Sequence, residues 1–229
     1  MKKLIIILSI VLLLPLSGFA YSVPVDSSLF EAGIFNDSRD QGTGLVTSGS
    51  WSQGFSIEWN IYQPIVSGKV DYYKYEYTLS WEKGAVSHFI LGVSDTFSLR
   101  NLYSPYEPEW IVGPQWFGPS GSNPGLPTNI YGLKFDFGPA ENDEATSFTY
   151  SFWSNRAPMW GDFYAKDGWA ATEEAWNYAY NIGIGALPGS PFANWIPVPD
   201  TLTVQTPEPM TLLLLGLGLM GVAGITRRK

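Results

Sequence analysis

The chain has 229 residues, with 13 basic side chains against 21 acidic ones and no cysteine, and its formal net charge is −8 at pH 7. The missing cysteine excludes disulfides, thiolate nucleophiles and cysteine-based metal sites. An acidic chain without a basic cluster also argues against binding of nucleic acid, or of an anionic membrane, through charge.

The first residues have the pattern of a secretory signal peptide. The charged start Lys2-Lys3 precedes a long apolar run, and Gly18-Phe19-Ala20 places small residues at the third and first positions before a cleavage site. We therefore predict a signal peptide over residues 1–20, cut between Ala20 and Tyr21 after export through the Sec translocon. An uncleaved N-terminal anchor is the alternative.

Residues 21–196 form the predicted body, and their hydrophobic pattern is that of β-strands. Ten tryptophans and thirteen tyrosines are mixed with frequent glycine and proline, which is typical of short strands separated by turns. Two segments alternate with period two, so they predict strands with one buried face in an antiparallel sheet. Their apolar members are Trp51, Phe55, Ile57, Trp59 and Ile61 in the first segment and Tyr73, Tyr75, Tyr77, Leu79 and Trp81 in the second.

Further strand signals extend along the body. The continuous apolar run 86–93 predicts a strand covered on both faces, and alternation returns at 131–137, 148–152 and 176–184. Residues 198–204 are a candidate closing strand. With about eight to ten strands and no convincing amphipathic helix, the sequence predicts an all-β fold, an antiparallel two-layer sandwich or a jelly-roll-like arrangement.

The segment 102–129 breaks this pattern. It is rich in proline and glycine, a composition that resists regular structure, and yet it contains Trp110, Trp116 and Phe117. We predict a loop folded over one open end of the sandwich. The alternative is an aromatic platform that faces a ligand.

The motif WGDFYAKDGW, residues 160–169, stands out within the body. Asp167-Gly168 is a strong turn signal, so the motif predicts a β-hairpin. If the aromatic side chains of this motif and of the 102–129 segment form one exposed strip, they offer a surface to a ligand. The candidate ligand-facing residues are Trp110, Trp116, Trp160, Asp162, Tyr164 and Trp169.

Signatures of catalysis and of metal binding are weak. The single histidine, His88, lies in an apolar strand-like run, which favours a structural histidine over a triad with Ser87. Asp162 and Asp167 are one of several acidic pairs that a glycosidase would need, and the acidic run 141–144 offers oxygen ligands to calcium, but turn formation is the simpler interpretation of each. We therefore predict no catalytic residue, no metal and no cofactor, with a polysaccharide-acting enzyme as the remaining alternative.

The C-terminal region has several elements in a fixed order. A proline-rich spacer is predicted over residues 197–206, then come the tripeptide Pro207-Glu208-Pro209, an apolar run and a basic end, Arg227-Arg228-Lys229. The apolar run predicts a transmembrane helix over residues 210–226, which at about 25 Å is short for a hydrocarbon core of roughly 30 Å. Basic residues on one side only predict a cytoplasmic C-terminus. A permanent membrane anchor is the alternative.

This order of elements, over residues 207–229, resembles the PEP-CTERM sorting signal of Gram-negative bacteria. The resemblance implies recognition by exosortase, a membrane protease-transpeptidase, at the inner membrane and delivery to the cell surface or extracellular matrix. It also implies association with extracellular polysaccharide and biofilm. Four segments of the body, YKYEYTLSW, SHFILGVS, KFDF and WGDFYAKDG, resemble a recurring β-rich body type among such proteins, which implies no particular activity.

Two classes of function follow as expectations. The first is a non-catalytic exported protein of the cell surface or matrix. The second is a carbohydrate-binding module, because sugar rings stack on the flat faces of tryptophan and tyrosine. The positions of the tryptophans discriminate between them, since an exposed strip favours binding and buried rings favour a structural role.

Overall fold

The body consists of β-strands joined by loops and short 3₁₀ turns, in a computed structural model that describes residues 23–29, 33–67, 70–103, 110–136, 146–170, 175–189 and 191–199. Within these ranges there are fourteen strands: β1 (Val23–Pro24), β2 (Ile34–Asp40), β3 (Leu45–Ser48), β4 (Ser56–Ser67), β5 (Val70–Ser80), β6 (His88–Gly92), β7 (Leu102–Tyr103), β8 (Ile111–Phe117), β9 (Ile130–Asp136), β10 (Ser147–Ser154), β11 (Pro158–Gly161), β12 (Phe163–Ala170), β13 (Ala175–Asn181) and β14 (Ile196–Pro199). The 3₁₀ turns in these ranges are Ser27–Leu29, Gly49–Gln53, Leu99–Asn101 and Phe192–Asn194. The all-β prediction is confirmed.

Two antiparallel sheets form the main layers. One has five strands in the order β2-β4-β5-β10-β7, and the other has six in the order β3-β13-β12-β6-β9-β8. A smaller sheet, β1-β11-β14, contributes to the same hydrophobic core. The chain passes repeatedly from one main sheet to the other, so neighbouring strands in a sheet are often distant in sequence.

The core between the two main sheets is aromatic. Phe89 and Phe135 of the six-stranded sheet stack with ring centroids 4.6 Å apart, and Phe135 stacks on Phe152 of the five-stranded sheet at 5.5 Å. All three rings are fully buried. Stacked and edge-to-face aromatic pairs stabilise a fold beyond the area that they bury, so these rings join the layers without disulfides.

The predicted alternation is confirmed in β4 and β5. Ile57, Trp59 and Ile61 of β4 point into the core. Their partners in β5 do the same, while the intervening polar residues lie on the outer face; these partners are Leu79, Tyr77 and Tyr75. β4 ends at Ser67 and β5 begins at Val70, and these two residues pair, as expected for a connection at Gly68-Lys69, which lies outside the described residues. Trp51 is buried as predicted, but it lies in the 3₁₀ turn before β4.

Strand β13 presents its aromatic side chains outward. Its buried face carries Asn177, Ala179 and Asn181, whereas Trp176, Tyr178 and Tyr180 are only half-buried on the other face. The two asparagines point inward because their amides satisfy polar groups there, as described below for Asn181. The backbone N–H of Ser50 donates to the Asn177 amide oxygen at 2.8 Å. Amides that satisfy buried backbone groups are favourable in a core, whereas unpaired ones are costly.

The described part of the proline-rich segment 102–129, which leaves out residues 104–109, is more ordered than predicted. Residues 102–103 form β7 and residues 111–117 form β8, at the edges of the two main sheets. Residues 118–129 then fold over the outer face of the six-stranded sheet, where Leu126 packs with Ile90 and Tyr164. The prediction of a loop over an open end of the sandwich is therefore wrong in its location.

The Asp167-Gly168 pair does not form a hairpin turn. Both residues lie inside β12, where the pairing with β13 shifts between Lys166 and Trp169. This is a β-bulge, in which two residues of one strand oppose one residue of the other. The Asp167 carboxylate accepts the backbone N–H of Ala85 at 2.8 Å and thereby ties the bulge to the segment before β6.

The predicted spacer begins too early. Residues 197–199 are buried and lie in β14, paired with β11, so the folded body extends at least to Pro199 and not only to residue 196. The buried Tyr77 hydroxyl donates to the Pro197 carbonyl at 2.9 Å. This hydrogen bond ties the end of the body to the centre of the five-stranded sheet.

Tyr77→Phe tests that connection. The substitution leaves the ring in place but deprives the buried Pro197 carbonyl of its donor, so we expect the free energy of unfolding to fall by about 1 to 2 kcal/mol. Urea unfolding of the purified protein measures this change. Tyr103→Phe is the matched control, because Tyr103 is 68% exposed and its hydroxyl can bond to water. Equal stability of Tyr77→Phe and the wild-type protein would contradict the role of this bond.

Candidate functional site

The two ends on which the export prediction rests lie outside the described residues. These are the cleavage pair Ala20 and Tyr21, the tripeptide Pro207-Glu208-Pro209, the helix predicted at 210–226 and the basic end Arg227-Arg228-Lys229. Among the residues that are described, no helix is long and apolar enough to cross a membrane. The acidic run 141–144 also lies outside them.

The predicted ligand-facing residues do not form one surface. Trp110 and Trp116 are exposed, at 40% and 68%, the first directly before β8 and the second near its end. Trp160 and Tyr164 are buried, so the prediction that they face a ligand is wrong. The backbone of Trp169 pairs with that of Trp176, and its side chain lies outside the described structure.

Trp160 and Tyr164 have structural surroundings. Trp160 lies in β11, the central strand of the small sheet, and its ring stacks on Phe192 at 5.3 Å. The Tyr164 hydroxyl donates to the Pro124 carbonyl at 2.8 Å, under the segment that covers the six-stranded sheet. Burial raises the pKa of Tyr164 well above its usual value, so this phenol stays protonated. Both rings therefore hold parts of the fold together.

Asp162 connects the start of β12 to the end of β13. Its carboxylate accepts the Asn181 amide at 3.2 Å and the Gly185 backbone N–H at 3.0 Å. Burial raises the pKa of Asp162, although these two hydrogen bonds act in the opposite direction. Asp167 lies towards the other end of β12 and bonds to a different loop, so the two carboxylates do not act as a pair.

His88 is enclosed by the segment 118–129. It is 4% exposed, and its ring Nε2 lies 3.1 Å from the Asn123 amide oxygen, while the Asn123 amide nitrogen donates to the Gly118 carbonyl. With the amide oriented in this way, Nε2 carries the proton and donates it. Burial and, to a smaller extent, the nearby charges of Lys134 and Lys166 together lower the pKa of His88 from 6.5 to about 4. The arrangement supports the structural interpretation of His88.

His88 should make stability depend on pH. Between pH 6.5 and about 4 the unfolded chain binds a proton at this position and the folded chain does not, so stability falls as the pH falls through that window. From pH 7 to pH 5 we expect the wild-type protein to lose about 2 kcal/mol more than His88→Gln does. Urea unfolding of both proteins at the two pH values measures the difference. Parallel losses would show that His88 is not responsible.

The outer face of the five-stranded sheet carries a second aromatic surface. Tyr62 of β4 pairs with Lys74 of β5, Lys74 pairs with Trp153 of β10, and Trp153 pairs with Tyr103 of β7. Directly paired residues lie on the same side of a sheet, so these four side chains form one row across four adjacent strands. We call this set, Tyr62, Lys74, Trp153 and Tyr103, the aromatic row. Tyr103 is 68% exposed, and the other three are partly exposed.

Polar side chains lie directly beside the aromatic row. The next rung of paired residues is Asn60, Glu76 and Ser151. Glu76 bonds to Lys74 at 2.9 Å and to Ser151 at 3.2 Å, and it also bonds to Tyr62. Burial alone would raise the pKa of Glu76, but Lys74 and the two hydroxyl donors outweigh it and lower the pKa, so this carboxylate is ionised at neutral pH.

Sequence reasoning missed the aromatic row. Tyr62 and Trp153 occupy positions of the polar face, in step with Asn60 and Ser151, and a large aromatic residue on such a face is a signal that could have been read. The proximity of Tyr62 and Trp153 could not have been predicted, because β4 and β10 are neighbours only through β5, which lies between them in the sheet.

Comparison with known proteins identifies one region of the chain. A family model described as the PEP-CTERM protein-sorting motif matches residues 205–229, which confirms the resemblance seen in the tail. No curated protein and no solved structure matches the chain. The motif marks an exported protein that exosortase processes, with a membrane-anchored precursor and a destination at the cell surface.

Proposed function

We propose that this exported, PEP-CTERM-sorted protein is a non-catalytic component of the cell surface or extracellular matrix, associated with extracellular polysaccharide and with biofilm. The motif at residues 205–229 carries the proposal, because it addresses the chain to exosortase. The preceding body has its own hydrophobic core. The N-terminal pattern supports entry into the export route through the Sec translocon.

The surroundings of the chemically active side chains favour a non-catalytic role. His88 donates to Asn123 and is kept neutral by burial, and Asp162 is used to connect β12 with the turn after β13. Catalytic acids and bases need pKa values near the working pH and access to a substrate. Buried groups engaged in such structural hydrogen bonds fit a scaffold better than an active site.

The precursor has a definite topology in this proposal. The helix predicted at 210–226 spans the inner membrane with the basic residues Arg227, Arg228 and Lys229 in the cytoplasm, so the body lies outside. Exosortase then acts near Pro207-Glu208-Pro209. Residues 200–206 separate this point from the last described strand and provide the spacer.

The intact mass of the protein isolated from its native host tests the proposal. We expect the mass of a polypeptide that begins at Tyr21 and ends near the tripeptide, either alone or increased by an attached glycan or lipid. Any added mass would identify what the protein is attached to. A mass that still includes residues 210–229 would show a plain membrane anchor and would overturn the proposal.

A further inference from the structure

The aromatic row combines flat aromatic faces with a polar border. Adjacent strands lie about 4.8 Å apart, so a row across four strands extends over roughly 14 Å. Tyr103, at 68% exposure, ends the row on β7, and the half-buried Trp153 lies beside it on β10. A contiguous set of exposed apolar groups with a polar rim is typical of a binding surface, whereas apolar side chains exposed singly are normal on a monomer. The aromatic row is such a contiguous set, because its members pair across adjacent strands.

The polar border has the groups that a sugar requires. Glu76 is ionised and accepts hydrogen bonds, and Asn60 and Ser151 on the same rung supply an amide and a hydroxyl. On the following rung, the hydroxyls of Thr78 and Thr149 bond to each other at 2.9 Å. The C–H face of a pyranose ring is apolar and its edge carries hydroxyls. On this sheet face the aromatic rings of one row suit the apolar C–H face of the sugar. The hydrogen-bond donors and acceptors of the next rung suit its hydroxyls.

We propose that the outer face of the five-stranded sheet binds a neutral polysaccharide chain, with sugar rings stacked on Trp153 and Tyr103 and their hydroxyls bonded along the Asn60–Glu76–Ser151 rung. The inference rests on the proposed function, which brings the body to the extracellular polysaccharide. It adds the place of contact and the class of ligand.

Charge favours a neutral chain over other polymers. Lys74 is the only basic residue in the row, and its ammonium is paired with Glu76 at 2.9 Å and lies 4.9 Å from the ring centre of Tyr62. This lysine is therefore neutralised locally and gives little attraction to an anionic polymer. The whole chain has a net charge of −8, which repels nucleic acid and acidic polysaccharides at longer range. A hydroxyl-rich neutral chain carries no such penalty.

The binding test compares four proteins produced in the native host and purified in their processed form. These are the wild-type protein, the double variant Trp153→Ala with Tyr103→Ala, the single variant Tyr103→Ala, and Trp116→Ala. The probe is the deproteinised extracellular polysaccharide of the same host, immobilised, with soluble neutral glucan as competitor. We expect the double variant to lose at least about tenfold in affinity and the competitor to release the wild-type protein.

Trp116→Ala is the matched control. Trp116 is also 68% exposed, but it lies on β8 at an edge of the other sheet, so its loss should leave affinity within about twofold. Tyr103→Ala alone distinguishes a loss of binding from a loss of folding, because removal of a largely exposed ring disturbs little packing. We expect this variant to stay folded and to bind severalfold more weakly than the wild type. The urea midpoints of all variants are measured alongside.

Several results would overturn the assignment of this face. The wild-type protein does not bind the probe, or the double variant binds as tightly as the wild type. The third such result is that Trp116→Ala loses as much affinity as the double variant does. Concentration-dependent dimers that disappear in the double variant would show that the face binds a second copy instead. Processed wild-type protein at the cell surface that fails to bind would refute this site but leave the proposed sorting to the cell surface standing, whereas unprocessed protein would refute that sorting.

Discussion

Asn181→Ala is expected to lower the free energy of unfolding by about 3 to 5 kcal/mol. Asn181 is fully buried, and its amide oxygen accepts the Phe163 backbone N–H at 2.6 Å. Its amide nitrogen donates to the Asp162 carboxylate at 3.2 Å and to the Asn194 carbonyl at 3.0 Å. Alanine leaves a donor, a carbonyl and a carboxylate buried with one partner fewer. Such a loss is a large part of the 5 to 15 kcal/mol that stabilises a typical domain.

Urea unfolding followed by tryptophan fluorescence measures the effect of Asn181→Ala. Asn36→Ala is the control, because Asn36 is exposed on the outer face of β2 and its replacement should change stability by less than about 0.5 kcal/mol. Asn181→Asp sharpens the test, since a second carboxylate beside Asp162 would be repelled and would destabilise more as the pH rises. If Asn181→Ala and Asn36→Ala unfold at the same urea concentration, the hydrogen bonds of the Asn181 amide do not stabilise the fold as proposed.

Replacing the tripeptide Pro207-Glu208-Pro209 by three alanines is expected to abolish processing. The tripeptide lies in the matched motif, and its two prolines restrict the chain to an extended form that a protease can bind. Alanine removes this restriction and also extends the helix-forming segment that follows. We expect nearly all of the variant to stay in the membrane fraction at the mass of the precursor without its signal peptide.

Immunoblots and intact masses of membrane and surface fractions measure this result. The control is Thr201→Ala with Thr203→Ala, which changes the same spacer upstream of the matched residues and should leave processing intact. Normal processing of the triple variant would mean that the tripeptide is not the recognised element. A deletion of residues 210–229 separates anchoring from cleavage, because it should release the body without exosortase.

The strands were predictable wherever burial is one-sided. In β4 and β5 the apolar residues recur every second position, and the core takes those residues because a strand presents alternate side chains to its two faces. The continuous run in β6 was also predictable, since Ile90 is covered by the segment 118–129 and Phe89 by the opposite sheet. The local hydrophobic pattern is sufficient to predict a strand when the alternation of neighbouring residues by itself shows which face is buried.

Prediction from sequence was wrong where distant contacts overrule a local signal. Asp167-Gly168 is a typical hairpin dipeptide, but β12 continues through it because β13 pairs on both sides of the bulge. The Pro197–Pro199 segment reads as a spacer, but pairing with β11 and the Tyr77 hydroxyl bury it. Trp160 and Tyr164 look available for a ligand, but strands and loops far along the chain cover them.

The sequence by itself determined the class of fold and the route of the protein. The sorting signal is a linear segment read in an extended or membrane-inserted chain, so the order of its elements is sufficient to recognise it, as the match at residues 205–229 shows. Tertiary structure alone decided which aromatic residues are exposed. The rings of Tyr62, Trp153 and Tyr103 share a face because β5 pairs with both β4 and β10, and β10 with β7, and such long-range pairing leaves no local mark in the sequence.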